Sequence, residues 1–289
     1  MIGFGNFLYL KCKTDRLVFT SLEDKHGQII RVFAIVLLCL SLFACGCGGG
    51  SSTSASGPQI AITSGNWDFA ASSNSGASFQ IGGDFDQSGS TISGSLRIFN
   101  STCIDSGTII PISGTVSGQT ITVTSANIAS QVITASVNGS ASALSGTYSI
   151  TGTGCASGDK GTLSGVFVPS VTGTWKGTFT SKAAGNPQIG VTVTLTEGAA
   201  GSGGFPGLFG FTGTVAYTGS SCFTTGNLTS GSLIVGRHVQ VVSTNNDGSQ
   251  IMFIGTLTNP STATQASGMY NVFGGACGGD SGTGSLTKQ

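Results

Sequence analysis

The sequence predicts an all-β protein made of two tandem eight-stranded antiparallel meander barrels, preceded by a signal helix. Three observations carry this expectation. Downstream of an N-terminal apolar segment, Gly, Ser and Thr alternate with Val, Ile, Leu and Phe, the period-two pattern of half-buried strands, and no stretch there sustains an apolar repeat at helical spacing. The chain also repeats itself: Ser145-Gly146-Thr147-Tyr148 through Cys155 aligns without a gap on Ser267-Gly268-Met269-Tyr270 through Cys277. Finally, each copy divides into eight short runs bounded by turn residues, which suits consecutive hairpins closing on themselves.

Taken in order, residues Met1 to Asp24 add an apolar and basic stretch ahead of a complete export signal and read as a misassigned start. Lys25, His26 and Arg31 supply the basic region before the Val32 to Ala44 apolar core. That core is too short for a bilayer of about 30 Å, so residues 1–44 read as a cleaved signal peptide, with a helix expected over Ile29 to Leu42. Leu42-Phe43-Ala44-Cys45 resembles the lipobox of bacterial lipoproteins. The resemblance implies lipidation of Cys45, with Cys47 as the alternative acceptor, and a chain anchored to the outer membrane of a bacterial cell envelope. Residues 45–64 then form the lipidated cysteine and a Gly/Ser tether.

The two β-domains are expected at 65–169 and 173–289, joined through Pro169 to Val171. Gly65-Asn66-Trp67 corresponds to Gly173-Thr174-Trp175, Cys103 to Cys222, and Gly158-Asp159-Lys160-Gly161-Thr162 to Gly279-Asp280-Ser281-Gly282-Thr283. In the second copy the runs are Thr174 to Ser181, Gln188 to Thr196, Leu208 to Thr218, Asn227 to Val235, His238 to Ser243, Gln250 to Thr258, Ala266 to Gly275 and Gly282 to Lys288. Asn246-Asp247-Gly248 supplies residues tolerant of positive φ for a tight hairpin. In the first copy Phe79, Ile81, Phe85, Ile121, Val123, Tyr148 and Ile150 are expected on inner faces.

The Gly-x-Trp opening of both copies resembles the calycins, the lipocalin and avidin class of barrels, although the basic residue those families pack over the Trp has no counterpart here. The resemblance implies a small apolar ligand in each barrel, with Trp67 and Trp175 as floors and Tyr148 and Tyr270 pointing inward; inward glycines such as Gly83, Gly152 and Gly274 would leave the room. The alternative architecture is a pair of immunoglobulin-like sandwiches, which Pro111 within a strand-like run would suit as an edge residue.

Cys103, Cys155, Cys222 and Cys277 form an even set, one pair per copy, and are expected to bridge as Cys103 to Cys155 and Cys222 to Cys277. Beyond the export segment six basic residues face eight acidic ones, a net charge of −2 without any basic stripe, which excludes nucleic acid as a partner. His238 is the one histidine there; it alternates opposite Val235, Val239 and Val241 and is expected to face solvent, which leaves a hydrolase without its base. Asp84, Asp86 and Ser88 have the spacing of a calcium-loop opening, but Ser95 stands where a bidentate Glu is needed, so an Asp and Gly hairpin is favoured over a metal. Asp159 and Asp280 are read as turn residues. The Gly201 to Phe211 loop is expected to fold Phe205, Leu208 and Phe209 back as a lid over a barrel end rather than expose them as an apolar tip. No cofactor is expected. The expected role is non-catalytic, either structural or directed at a protein partner, with a small apolar ligand carrier as the alternative and an enzyme third.

Overall fold

A computed structural model describes residues 58–185 and 187–289, and the expected signal helix, Cys45 and Cys47 lie outside them. The described residues contain strands and turns and no helix. In the first copy, strands β1 (Gly65–Ser73), β2 (Ser78–Ser88), β3 (Thr91–Phe99), β4 (Ile109–Ser117), β5 (Thr120–Ser125), β6 (Gln131–Gly139), β7 (Ala143–Gly152) and β8 (Lys160–Phe167) follow one another around a closed barrel. Closure is made by β1 against β8, with Phe69 opposite Gly165 and Ser73 opposite Gly161, so no edge is left for another chain to pair with.

The second copy repeats this order with β9 (Gly173–Ser181), β10 (Gln188–Ala200), β11 (Phe209–Thr218), β12 (Thr225–Leu228), β13 (Leu233–Val235), β14 (His238–Asn245), β15 (Gln250–Leu257), β16 (Gln265–Phe273) and β17 (Ser281–Lys288). Here β17 pairs with β9 and β10 with β11, which closes the second barrel. The single run expected over Asn227 to Val235 is broken: β12 and β13 share the place between β11 and β14, one in each half of the wall. The turn between them uses its own hydroxyls, with Ser232 Oγ donating to the Val242 carbonyl and accepting from the Val242 N–H.

The sandwich alternative is therefore set aside. Pro111 sits on β4 of the closed barrel, opposite Ser95. Its carbonyl accepts the Ala126 N–H at the end of the β4–β5 ladder, and the Ala126 carbonyl that a Pro111 N–H would have met takes the Ser125 hydroxyl at 2.8 Å instead. Inward Phe79, Ile81, Phe85, Ile121, Val123, Tyr148 and Ile150 are all buried, as the alternation predicts.

Each barrel has its own core. One contains Trp67, Phe69, Phe85 and Tyr148, the other Trp175, Phe179, Phe253 and Tyr270. Leu208 and Val235 are buried but belong to neither core. They accompany the joint between the barrels, where β13 lies against β1 and β2. Gly82 and Gly236 meet there so closely that a Cβ on Gly82 would come within 2.6 Å of the Gly236 Cα. Asn66 holds both backbone groups of Gly236, accepting its N–H at 2.7 Å and donating to its carbonyl at 3.0 Å. Asp68, 2 % exposed, accepts from the Arg237 guanidinium at 2.7 and 2.9 Å and from its backbone N–H at 3.2 Å.

Two expectations fail at this joint for one physical reason. His238 does point outward from β14, but outward here means the wall of the first barrel: its ring stacks on Phe99 at 3.9 Å and lies 3.2 Å from the Gln80 amide oxygen. The Gly201 to Phe211 loop is neither a lid nor a free tip. Its Gly207 backbone rests on Ser95 of β3, Leu208 and Phe209 are buried, and Phe205 stays 61 % exposed beside the Arg97 guanidinium.

Candidate functional site

Each barrel has two ends, and the same devices recur at both. At one end stands the tryptophan. Trp67 donates its indole N–H to the Thr63 carbonyl and Trp175 to the Val171 carbonyl, both at 2.8 Å and both four residues back. The chain before each first strand is thereby drawn across the mouth, burying Ile60 in the first barrel and Val168 and Val171 in the second. Gln87 pins the first strap through the Ile62 N–H and the Ile60 carbonyl. Glu197 pins the second through the Val171 N–H at 2.8 Å, and Lys288 donates to the Ser170 carbonyl. Burial pushes the Glu197 carboxyl above its usual range against the opposing pull of the Val171 N–H, Ser170 and Lys288. Both tryptophan mouths are plugged.

At the other end lie the disulfides. Cys103 bridges Cys155 with a Cα separation of 5.6 Å, and Cys222 bridges Cys277 at 6.0 Å, the expected pairing within each copy. Beside each bridge a carboxylate ties the last hairpin to the first strand. Asp159 accepts from Tyr148 at 2.8 Å and from Ser73, while Asp280 accepts from Tyr270 at 2.9 Å and from Ser181. Burial and then the carboxylate raise both phenols, Tyr148 and Tyr270, to about 12. These oxygens are mutually satisfied and form a latch rather than a proton-transfer pair. The sequence reading placed both aspartates in turns but missed their partners. The signal was present: Ser stands six residues after Trp in both copies.

The barrel interiors are nearly full. The first holds a cavity of about 50 Å³ lined by Phe69, Phe79, Ala135, Val137 and Tyr148 among others, and the second one of about 20 Å³ near Trp175. Of the three glycines expected on inner faces, Gly152 at the end of β7 and Gly274 just past β16 are exposed instead and only Gly83 is buried, and the cores are mostly filled. Larger concavities lie outside, at the disulfide ends. A cleft of about 530 Å³ runs between Asn74, Phe79, Ile104, Cys155 and Asp159, and one of about 550 Å³ occupies the matching place beside Lys182, Ile189, Cys277 and Asp280.

Asp84 and Asp86 stand two apart on the outer face of β2, with Ser88 beyond them at the hairpin. Burial first, and the neighbouring Asp86 second, raise Asp84 to about 6. Among the described residues no cluster of three or more His, Cys, Asp or Glu is placed to hold a metal. His238, held by Phe99 and Gln80, is shifted below its usual value by burial, with Asp68 opposing and Arg237 adding to the shift. Among the described residues no serine or cysteine side chain is hydrogen-bonded to its ring. No protein-family model, curated protein or solved structure matches this chain.

Proposed function

We propose that this chain is a non-catalytic lipoprotein of the bacterial cell envelope, held on the outer membrane through a lipid on Cys45, with its two barrels in a structural or partner-binding role. The observation that favours this over a calycin-type carrier is the filled interior. A pocket for a small organic ligand needs about 300 Å³ or more, and the cavities of about 50 and 20 Å³ fall far short of it. Strapped tryptophan mouths and latched hairpins add rigidity where a carrier needs a way in. The anchoring part of the proposal rests on the sequence.

One experiment separates the readings. The full chain is expressed in a bacterial host with an alkyne fatty acid, then extracted and titrated with a small apolar fluorophore. The expected result is label that disappears on Cys45→Ser and tryptophan fluorescence that shows no saturable quenching. Label that instead follows Cys47 moves the acceptor. Saturable quenching that is lost on Trp175→Ala returns the barrels to the carrier class.

A further inference from the structure

The duplication provides an internal control for what the barrel itself requires. Partner residues across the sheet fix the correspondence: Tyr148 faces Ala135, which faces Val123, as Tyr270 faces Phe253, which faces Val241. On this register the outward residues Val242, Met252, Ile254, Met269 and Phe273 of β14 to β16 stand where the first copy has Thr124, Thr134, Ser136, Thr147 and Thr151. Five hydroxyl positions have become five apolar ones. Ile254 and Met269 are direct cross-strand neighbours, and Met252 is opposite Val242. Ile254 is 48 %, Met269 59 % and Phe273 51 % exposed. The first barrel closes with hydroxyls on this wall, so the fold does not need the apolar set. The exchange in the other direction is smaller: Val132 answers Gln250 and Ala143 answers Gln265.

We propose that this wall of the second barrel is a self-association surface that takes a second copy of the same chain. The choice of occupant rests on charge and on continuity. The outward strand residues around the patch are Gln240, Thr244, Gln250, Ser267 and Asn271, none of them ionised, and the one carboxylate at its edge, Asp247 in the β14–β15 hairpin, is turned in to the Ser249 hydroxyl and backbone N–H. A two-fold contact sets each group near its own image, so an uncharged face is what such pairing tolerates, whereas an anionic leaflet calls for Lys or Arg at the rim. The patch also runs through Gln240 to His238, where an outer barrel wall of this protein already packs against another barrel. Its size sets the strength. A stable interface takes about 20–30 residues and about 800 Å² per partner, and five apolar side chains, of which Val242 and Met252 are half-buried, support only a weak dimer. Confinement on a membrane would raise its occupancy, and for that strength alone the inference rests on the anchoring reading.

The test uses the full chain in two settings. By sedimentation velocity in a neutral detergent, dimer should appear as concentration rises into the high micromolar range. Ile254→Lys and Met269→Lys should each weaken it at least tenfold, and Thr147→Lys, at the matching place in the first barrel, should not. In native membranes Met269→Cys should give an oxidant-dependent dimer that Thr147→Cys does not. A chain that is monomeric by both measures, or dimers indifferent to the lysines, would overturn the proposal. So would loss of binding to neutral phosphatidylcholine vesicles on Ile254→Lys with sedimentation unchanged, which would assign the face to lipid. Loss of fatty-acid label with membrane dimers intact would refute the anchor and leave this surface standing.

Discussion

Replacing Ala135 by Val should stabilise the first barrel by about 1 kcal/mol. Ala135 and Phe69 line the same cavity of about 50 Å³. The second barrel has Phe253 and Gly177 at the corresponding places and a cavity of about 20 Å³, so each copy fills this layer with one large side chain set differently. Two added carbons roughly match the available space. At about 24 cal/mol per Å³ of cavity removed, filling 50 Å³ contributes about 1.2 kcal/mol, and the transfer of two methyl-sized groups gives a similar upper value. Valine also suits a strand. For a barrel of about a hundred residues, 1 kcal/mol corresponds to a Tm rise of about 4–8 °C, readable by calorimetry and by urea unfolding. Ala135→Phe carries more volume than the cavity can take while Phe69 stays in place, and should destabilise by about 1–3 kcal/mol. If Val lowers the midpoint, or Phe raises it, the interior is not packed as described and the argument against a carrier weakens with it.

Two further outcomes follow from the joint and from the β2 wall. Asp68→Asn leaves Arg237 without its buried carboxylate; because Arg237 is 27 % exposed, we expect about 2 kcal/mol rather than the 3–5 of a fully buried pair, and a single calorimetric transition resolving into two as the barrels uncouple. An unchanged single transition would refute the joint's role. Asp84 titrates at about 6 in the fold, above its unfolded value, so the folded state binds this proton more tightly and stability falls as pH rises from about 4 to 6. Solvent still reaches the half-buried Asp84 carboxyl and screens its charge, so Asp84→Asn should gain about 1 kcal/mol at pH 7.5 and nothing near pH 3.5; equal gains at both would assign the effect to something other than charge.

Strand alternation and duplication made most of this architecture legible. Inner and outer faces follow from a period of two, and the cysteine pairing follows from two copies that each hold one pair. What alternation cannot tell is what lies beyond an outer face. Alternation puts His238 on the outer side of β14, where it is, but the Phe99 that covers it lies some 140 residues earlier on another barrel. The same limit hid the resting place of Gly207 on Ser95 and the burial of Asp68. The break between β12 and β13 escaped because the Ser232 hydroxyl takes the place of a strand rung, donating to the Val242 carbonyl and accepting its N–H, and a Ser there fits a continuous strand equally well. The latches were missed for a different reason: each joins three residues spread over about a hundred positions, and only the comparison of the copies exposes them.

The β1–β8 seam governs how long the first barrel must wait to exist. Its opening strand can complete its pairing only when the strand ending at Phe167 is available, and until then Trp67 and Phe69 have no second wall. A chain emerging with its N-terminus first therefore carries an unsatisfied aromatic strand through nearly the whole length of the copy. Contacts this distant place the protein among slow folders, on the scale of milliseconds to seconds. The bridge from Cys103 to Cys155, formed early, would bring β3 and β7 together before the seam is reached. Oxidation is then a matter of timing as well as of stability, and a chain kept reduced while it emerges should lose more material to aggregation than one reduced after it has closed.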